Sequence, residues 1–129
     1  MNMKITLKSF WPAVVGLIVA TVLLLLPGQE FPKRDWMSKI YLDKWVHLGL
    51  FAMLVALWSL PLISRIDEGS RLRNIFFWIA MGFIAYGIAI EFIQGNFIPY
   101  RTFGVDDMIA DAVGSGIGFL FARRQLRNQ

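Results

Sequence analysis

Cysteine is absent from the 129 residues. Disulfides, thiolate nucleophiles, thiolate metal ligands and thiol-attached haem are thereby excluded, and cysteine usage says nothing about the redox compartment. His47 is the only histidine, which by itself is weak evidence for a metal. Neither a Gly-x-Ser-x-Gly elbow nor a His-Glu-x-x-His zinc motif is present, so two common routes to hydrolysis have no sequence support. Charge is scarce as well, at 17% of residues. The net charge of +4 is mostly a matter of which loops carry lysine and arginine, and makes no case for nucleic acid. No internal repeat is defensible.

What the chain does have is oil. It is 57% hydrophobic with a mean hydropathy of +0.56, and composition of this kind favours the membrane class. Residues 10–26 contain no charge, 46–63 carry only His47 as an ionisable group, 75–93 only Glu91 as a charge, and 108–122 only Asp111. A helix rises about 1.5 Å per residue and a bilayer core takes roughly 20 residues to cross. The expectation is a single all-α domain over 1–129, a compact bundle of four transmembrane helices, with the last and shortest span the least secure.

Lys4 and Lys8 precede the first apolar run as they would in a secretory signal, but Leu26-Pro27-Gly28-Gln29 lacks a small-x-small cleavage site, so an uncleaved first helix is expected. Cytoplasmic loops are enriched in Lys and Arg. Lys4, Lys8, Arg65, Arg71, Arg73, Arg123, Arg124 and Arg127 fall on one side of a four-span topology, against Lys33, Arg34, Lys39, Lys44 and Arg101 on the other. Both termini are expected in the cytoplasm. In the outer loop, Asp35 is suited to cap a short amphipathic turn with Trp36, Met37, Ile40 and Tyr41 at helical spacing, an interfacial anchor in the headgroup layer. The second span ends at Leu60-Pro61, and the charged hairpin 64–74 carries no chemistry. Gly114, Ser115, Gly116 and Gly118 superficially resemble a nucleotide loop. No strand precedes them, and the small-xxx-small spacing of Gly114 and Gly118 points to close helix packing instead.

Seven polar residues interrupt this background: Asp43, His47, Glu91, Gln94, Arg101, Asp107 and Asp111. An ionisable group at a helix centre in hydrocarbon costs roughly 2.5 to 3.5 kcal/mol on insertion scales, so each needs a partner or a task. In the four-span topology all seven lie towards the outer face. Asp43 and His47 are four apart at the start of the second helix, Glu91 and Gln94 three apart at the end of the third, Asp107 and Asp111 four apart at the start of the fourth. Three helix ends are therefore expected to converge. Asp106 or Asp107 is a natural N-cap, and Asp43 is placed to pair with Lys39, Lys44 or Arg101. Glu91 and Asp111, a turn inside, are harder to dismiss as solvated charges. Arg101 is the obvious cation between carboxylates and a suitable clamp for an anion.

The order Leu26-Pro27-Gly28, Asp43-Lys44-x-x-His47, Tyr86-Gly87 with Glu91-x-x-Gln94, Pro99-x-Arg101, then Asp107 and a glycine-rich last helix resembles the VanZ-like family across nearly the whole chain. That family usually has Asn four residues after the last-helix Asp, followed by Gly three beyond. Here the residues are Asp107, Asp111 and Gly114, a change that keeps the side-chain shape and adds a charge. The resemblance implies a small integral membrane protein of the bacterial cell envelope, similar to one associated with teicoplanin resistance. It does not imply that this chain confers resistance, nor does it define a molecular activity.

Two expectations follow. In the first, an extracytoplasmic site recognises or processes a lipid-linked or cell-wall ligand. His47, oriented by Asp43, and Glu91 serve there as acid and base, while Arg101, Gln94, Asp107 and Asp111 hold the ligand. In the second, the protein is a noncatalytic scaffold or partner-binding module whose polar cluster locks short helices together. Proton or ion movement is weaker, because no charge relay continues into the inner half. Carboxylate oxygens of Glu91, Asp107 and Asp111 suit a hard cation such as Mg²⁺ or Ca²⁺, yet the residues alone assign no metal and no cofactor. Membrane lipids are the expected surroundings.

Overall fold

The structure is a computed structural model and describes residues 7–26, 42–64, 68–98 and 104–128, with the backbone alone at 7, 42 and 43. The expected Asp35-capped turn, Arg101 and the side chain of Asp43 lie outside the described residues. After a 3-10 turn over Leu7–Phe10 come four helices: α1 (Trp11–Leu25), α2 (Leu42–Ile63), α3 (Gly69–Phe97) and α4 (Val105–Arg127). No strand occurs among the described residues.

The helices outrun the expected apolar spans at most ends, and two boundaries have a clear local cause. The second helix does not stop at Pro61 but carries it inside its last turn. Proline removes one backbone donor and crowds the carbonyl four residues back, a small loss so close to the helix end. The third helix begins at Gly69, with Glu68 as its N-cap residue. It thereby absorbs Arg71 and Arg73, both exposed, from the expected hairpin; arginine is a good helix former, so the helix extends beyond its apolar stretch.

α2 packs most extensively against α4, α3 lies against both, and α1 covers α2 and α3. The tight α2–α4 seam is built on glycine. A Cβ at Gly114 would collide with the backbone carbonyl of Leu48, and one at Gly118 would lie 2.6 Å from the Ala52 carbonyl oxygen. Small residues at this spacing let helices approach closely where lipid supplies no hydrophobic drive. Gly116 faces open space, so the packing reading of the glycine-rich stretch belongs to two of its glycines.

Polarity is distributed inside out. His47, Ser59, Glu91, Gln94, Asp111 and Ser115 are buried, whereas Trp11, Ile18, Trp78, Phe92, Ile109 and Leu120 are among many large apolar side chains left exposed. In water so much exposed apolar surface would be a liability. In hydrocarbon it is the expected outer face. Three helical segments, Lys8–Leu25, Lys44–Ile63 and Gly69–Phe97, are long and apolar enough to cross a membrane. Two buried apolar clusters separate along the bundle: Leu24, Phe51 and Ile90, flanked by Phe83 and Tyr86, and, toward the other end, Leu72, Phe76 and Ala122.

Candidate functional site

The first of those clusters forms the floor of the polar site. His47 lies one turn before Phe51 on α2, Glu91 follows Ile90 on α3, and Asp111 sits between them on α4. His47 is 4% exposed, Glu91 0% and Asp111 1%. One donor atom from each lies within 4.8 Å of one from each of the others.

The bonds within this group are specific. His47 Nδ1–H donates to Asp111 Oδ1 at 2.8 Å, linking α2 to α4. The backbone N–H of Gly104, the N-cap residue of α4, donates to Glu91 Oε2 at 3.0 Å, linking α3 to the start of α4. Gly87 makes room for the arrangement, since a Cβ there would stand 2.8 Å from Asp111 Oδ2 and 3.1 Å from the Phe51 ring. α2 and α4 both begin at this end, so two helix N-termini face the carboxylates, a placement that favours negative charge. Two oxygens nonetheless have no hydrogen-bond partner among the described residues: Glu91 Oε1 and Asp111 Oδ2.

The remaining residues singled out in the sequence separate by role. Gln94 donates its amide N–H to the backbone carbonyl of Leu24, closing the last turn of α1 against α3. Asp107 stands 3.5 Å from Lys44 Nζ in a partly exposed ion pair. Neither Asp106 nor Asp107 is the N-cap; the helix starts earlier, at Val105, and both acids fall in its first turn without a capping bond. There they still complement the helix dipole. His47 has Asp111 as its carboxylate partner among the described residues, where helical spacing alone favours Asp43. Tyr86, which the sequence marks only by its place in a motif, pairs its hydroxyl with Thr21 Oγ1 at 2.6 Å. An open groove of about 470 Å³ lined by Arg123, Arg124 and Arg127 lies at the opposite end of α4, among residues that the sequence reads as an orientation signal, and has no connection with the cluster.

The VanZ/LLP1 family model matches residues 3–126. The chain belongs to the VanZ/LLP1 family. No curated protein and no solved structure matches it. Within this VanZ-like membrane protein, those elements of the resemblance that lie among the described residues come together. The histidine of the second-helix motif bonds Asp111 of the fourth helix, Gly87 of the third packs on that aspartate, and Glu91 completes the cluster. A histidine bonded to one carboxylate and facing another can transfer protons, bind a cation or hold helices together.

Proposed function

We propose that this VanZ-like protein resides in the bacterial cytoplasmic membrane with both termini in the cytoplasm. Its His47–Glu91–Asp111 end then faces outward and recognises or processes a lipid-linked or cell-wall ligand. One observation carries this reading: the two orphaned oxygens, Glu91 Oε1 and Asp111 Oδ2. Buried polar atoms are nearly always paired. The Trp58 indole, Ser59, Ser115 and Asp107 also leave a polar atom without a hydrogen-bond partner among the described residues, but only at Glu91 and Asp111 do two such carboxylate oxygens belong to one cluster with a histidine. These acceptors have capacity for a ligand's donors, beside a histidine able to exchange a proton. Arg101 is the proposed clamp for an anionic group. Membrane lipids are the medium and lipid-linked envelope precursors the class of ligand; nucleic acid has no part.

The competing reading is a scaffold in which the cluster is a lock. It is favoured by the His47–Asp111 bond itself, which ties helices 64 residues apart in sequence. Glu91→Gln and Arg101→Ala discriminate between the two. Membrane abundance and sensitivity to envelope-directed antibiotics, glycopeptides included, are measured together. The site reading expects near-normal abundance with an altered sensitivity. Sensitivity that tracks abundance alone, or does not move in either variant at normal abundance, removes it and leaves the scaffold.

A further inference from the structure

We propose that His47, Glu91 and Asp111 bind one divalent transition-metal ion of the Mn²⁺-to-Zn²⁺ class. The inference rests on taking the cluster as a site rather than a lock, but it requires neither an organic ligand nor turnover.

Geometry comes first. Donor atoms around one ion at 2.0 to 2.2 Å stand about 3 to 3.6 Å apart. The three side chains already hold donors within 4.8 Å of one another, so closing on an ion calls for movement of roughly 1 Å. Each donor comes from a different helix, and the seam that sets their spacing is fixed by glycine contacts at Gly114 and Gly87. The free capacity is present as well. Glu91 Oε1 and Asp111 Oδ2 are buried without a hydrogen-bond partner among the described residues, while Glu91 Oε2 and Asp111 Oδ1 accept bonds from Gly104 and His47. Glu91 is thus held in orientation through Oε2 with Oε1 available, the division of labour by which supporting bonds aim metal ligands. The 2.8 Å contact of His47 Nδ1 with Asp111 Oδ1 is instead one that the ion replaces, with Nδ1 turned from bonding Asp111 to ligating and the imidazole proton carried on Nε2.

Charge and donor type choose the ion. Two carboxylates with a neutral imidazole carry a charge of −2, and a divalent cation brings the buried group to zero where uncompensated charge is expensive. A monovalent cation would not. One nitrogen with two oxygens and no thiolate suits the borderline first-row divalent ions. Mg²⁺ and Ca²⁺ prefer six or more oxygens, with Mg²⁺ retaining water, which a nearly closed cluster containing an imidazole supplies poorly. Three protein ligands leave at least one coordination position open, the pattern of sites that act on a bound molecule.

The test uses the full chain, purified in detergent without a histidine tag and stripped with a chelator. Zn²⁺ is titrated against a competing chromophoric chelator, and Co²⁺ uptake is followed by its visible absorption. One equivalent of Zn²⁺ per chain is expected, with a Co²⁺ spectrum of low coordination number and an upward shift of the thermal midpoint on Zn²⁺ addition. Glu91→Gln and Asp111→Asn should each weaken Zn²⁺ at least about tenfold, since even supporting residues cost 10- to 100-fold. A folded wild-type chain that takes up no stoichiometric Zn²⁺ overturns the proposal whatever the variants do. So does unchanged affinity in both variants, or displacement by Mg²⁺ or Ca²⁺ at equal concentration. The two proposals fail separately: sensitivity lost in Glu91→Gln without any metal uptake by the wild type ends the metal site alone. Stoichiometric Zn²⁺ with antibiotic sensitivity unmoved in every variant ends the envelope-ligand reading alone.

Discussion

His47 and Asp111 share a 2.8 Å hydrogen bond between α2 and α4 with both side chains almost fully buried. Removing one partner of such a pair strands the other, which typically costs about 3 to 5 kcal/mol, more than the pair itself contributes. His47→Ala and Asp111→Ala are therefore each expected to destabilise the folded chain by about 3 kcal/mol. The double variant should cost less than the sum by at least about 1 kcal/mol, because neither stranded group remains. Asp111→Asn retains an oxygen for the imidazole N–H and should cost only about 1 kcal/mol. Reversible unfolding in mixed micelles measures all four; strict additivity would show that the two residues do not act as a unit.

The glycines of α4 give a prediction with opposite signs inside one motif. At Gly114 and Gly118 an added methyl meets backbone carbonyls of α2, which cannot rotate away as a flexible side chain can. Alanine at either position should cost about 1 to 3 kcal/mol, the usual range for overpacking. At Gly116 nothing lies within 4 Å of the added atom, and alanine there should be neutral or stabilise by up to about 1 kcal/mol through helix propensity. Thermal midpoints of the three single variants decide it. A loss at Gly116 as large as at Gly114 would contradict the seam.

These contrasts show what was legible before any coordinates. Apolar run length located the helices, and the three- and four-residue spacings of polar residues anticipated that the ends of α2, α3 and α4 meet. Small-xxx-small spacing anticipated the seam, though not that Gly116 is outside it, because composition does not say which way a helix is turned. Partner choice was not legible. Spacing along a chain privileges Asp43, whose side chain lies outside the described residues, as a neighbour of His47; the bond to Asp111 depends on a parallel α2–α4 pairing that no local pattern encodes. The bond of Gln94 to the Leu24 carbonyl is equally silent in the sequence, and Tyr86 has no signal beyond its place in a motif. Helix starts were missed at Gly69 and Val105 because exposed Arg71 and Arg73, and the acidic first turn of α4, extend helices past their apolar segments.

Gln94 and Tyr86 attach α1 to the rest of the bundle and test the distinction between joint and site. Gln94→Leu removes the donor to the Leu24 carbonyl, and an unpaired buried carbonyl costs about 1 to 3 kcal/mol. Tyr86→Phe removes the 2.6 Å bond to Thr21 for about 1 kcal/mol. Faster hydrogen exchange should be concentrated in α1, with Zn²⁺ affinity within about twofold of wild type, since neither side chain is among the three that supply donor atoms to the cluster. Loss of Zn²⁺ from the Gln94 variant at unchanged exchange would place Gln94 in the site instead.

The topology turns on α4, which falls short of the apolarity of the other three helices. Its partners lead us to predict that it nevertheless crosses. Gly114 faces Leu48 and Gly118 faces Ala52, so the two contacts share one offset and α4 runs parallel to α2 at matching depth. At about 1.5 Å per residue its 23 residues reach about 34 Å, enough for a core of about 30 Å. The low hydropathy has a local cause. Asp111, Gly114, Ser115 and Gly118 point into the bundle, while Ile109, Val113, Ile117, Leu120 and Phe121 remain exposed as an apolar stripe at nearly helical spacing. A helix shielded on one side needs an oily surface only on the other. Fluorescent reporters that mature only in the cytoplasm, fused separately to each terminus, should therefore both be bright, and alkaline phosphatase at the C-terminus should be inactive. A dark C-terminal reporter beside a bright N-terminal one would mean that α4 does not cross. The site would then need α2 and α4 to meet by some route other than a shared passage through the membrane.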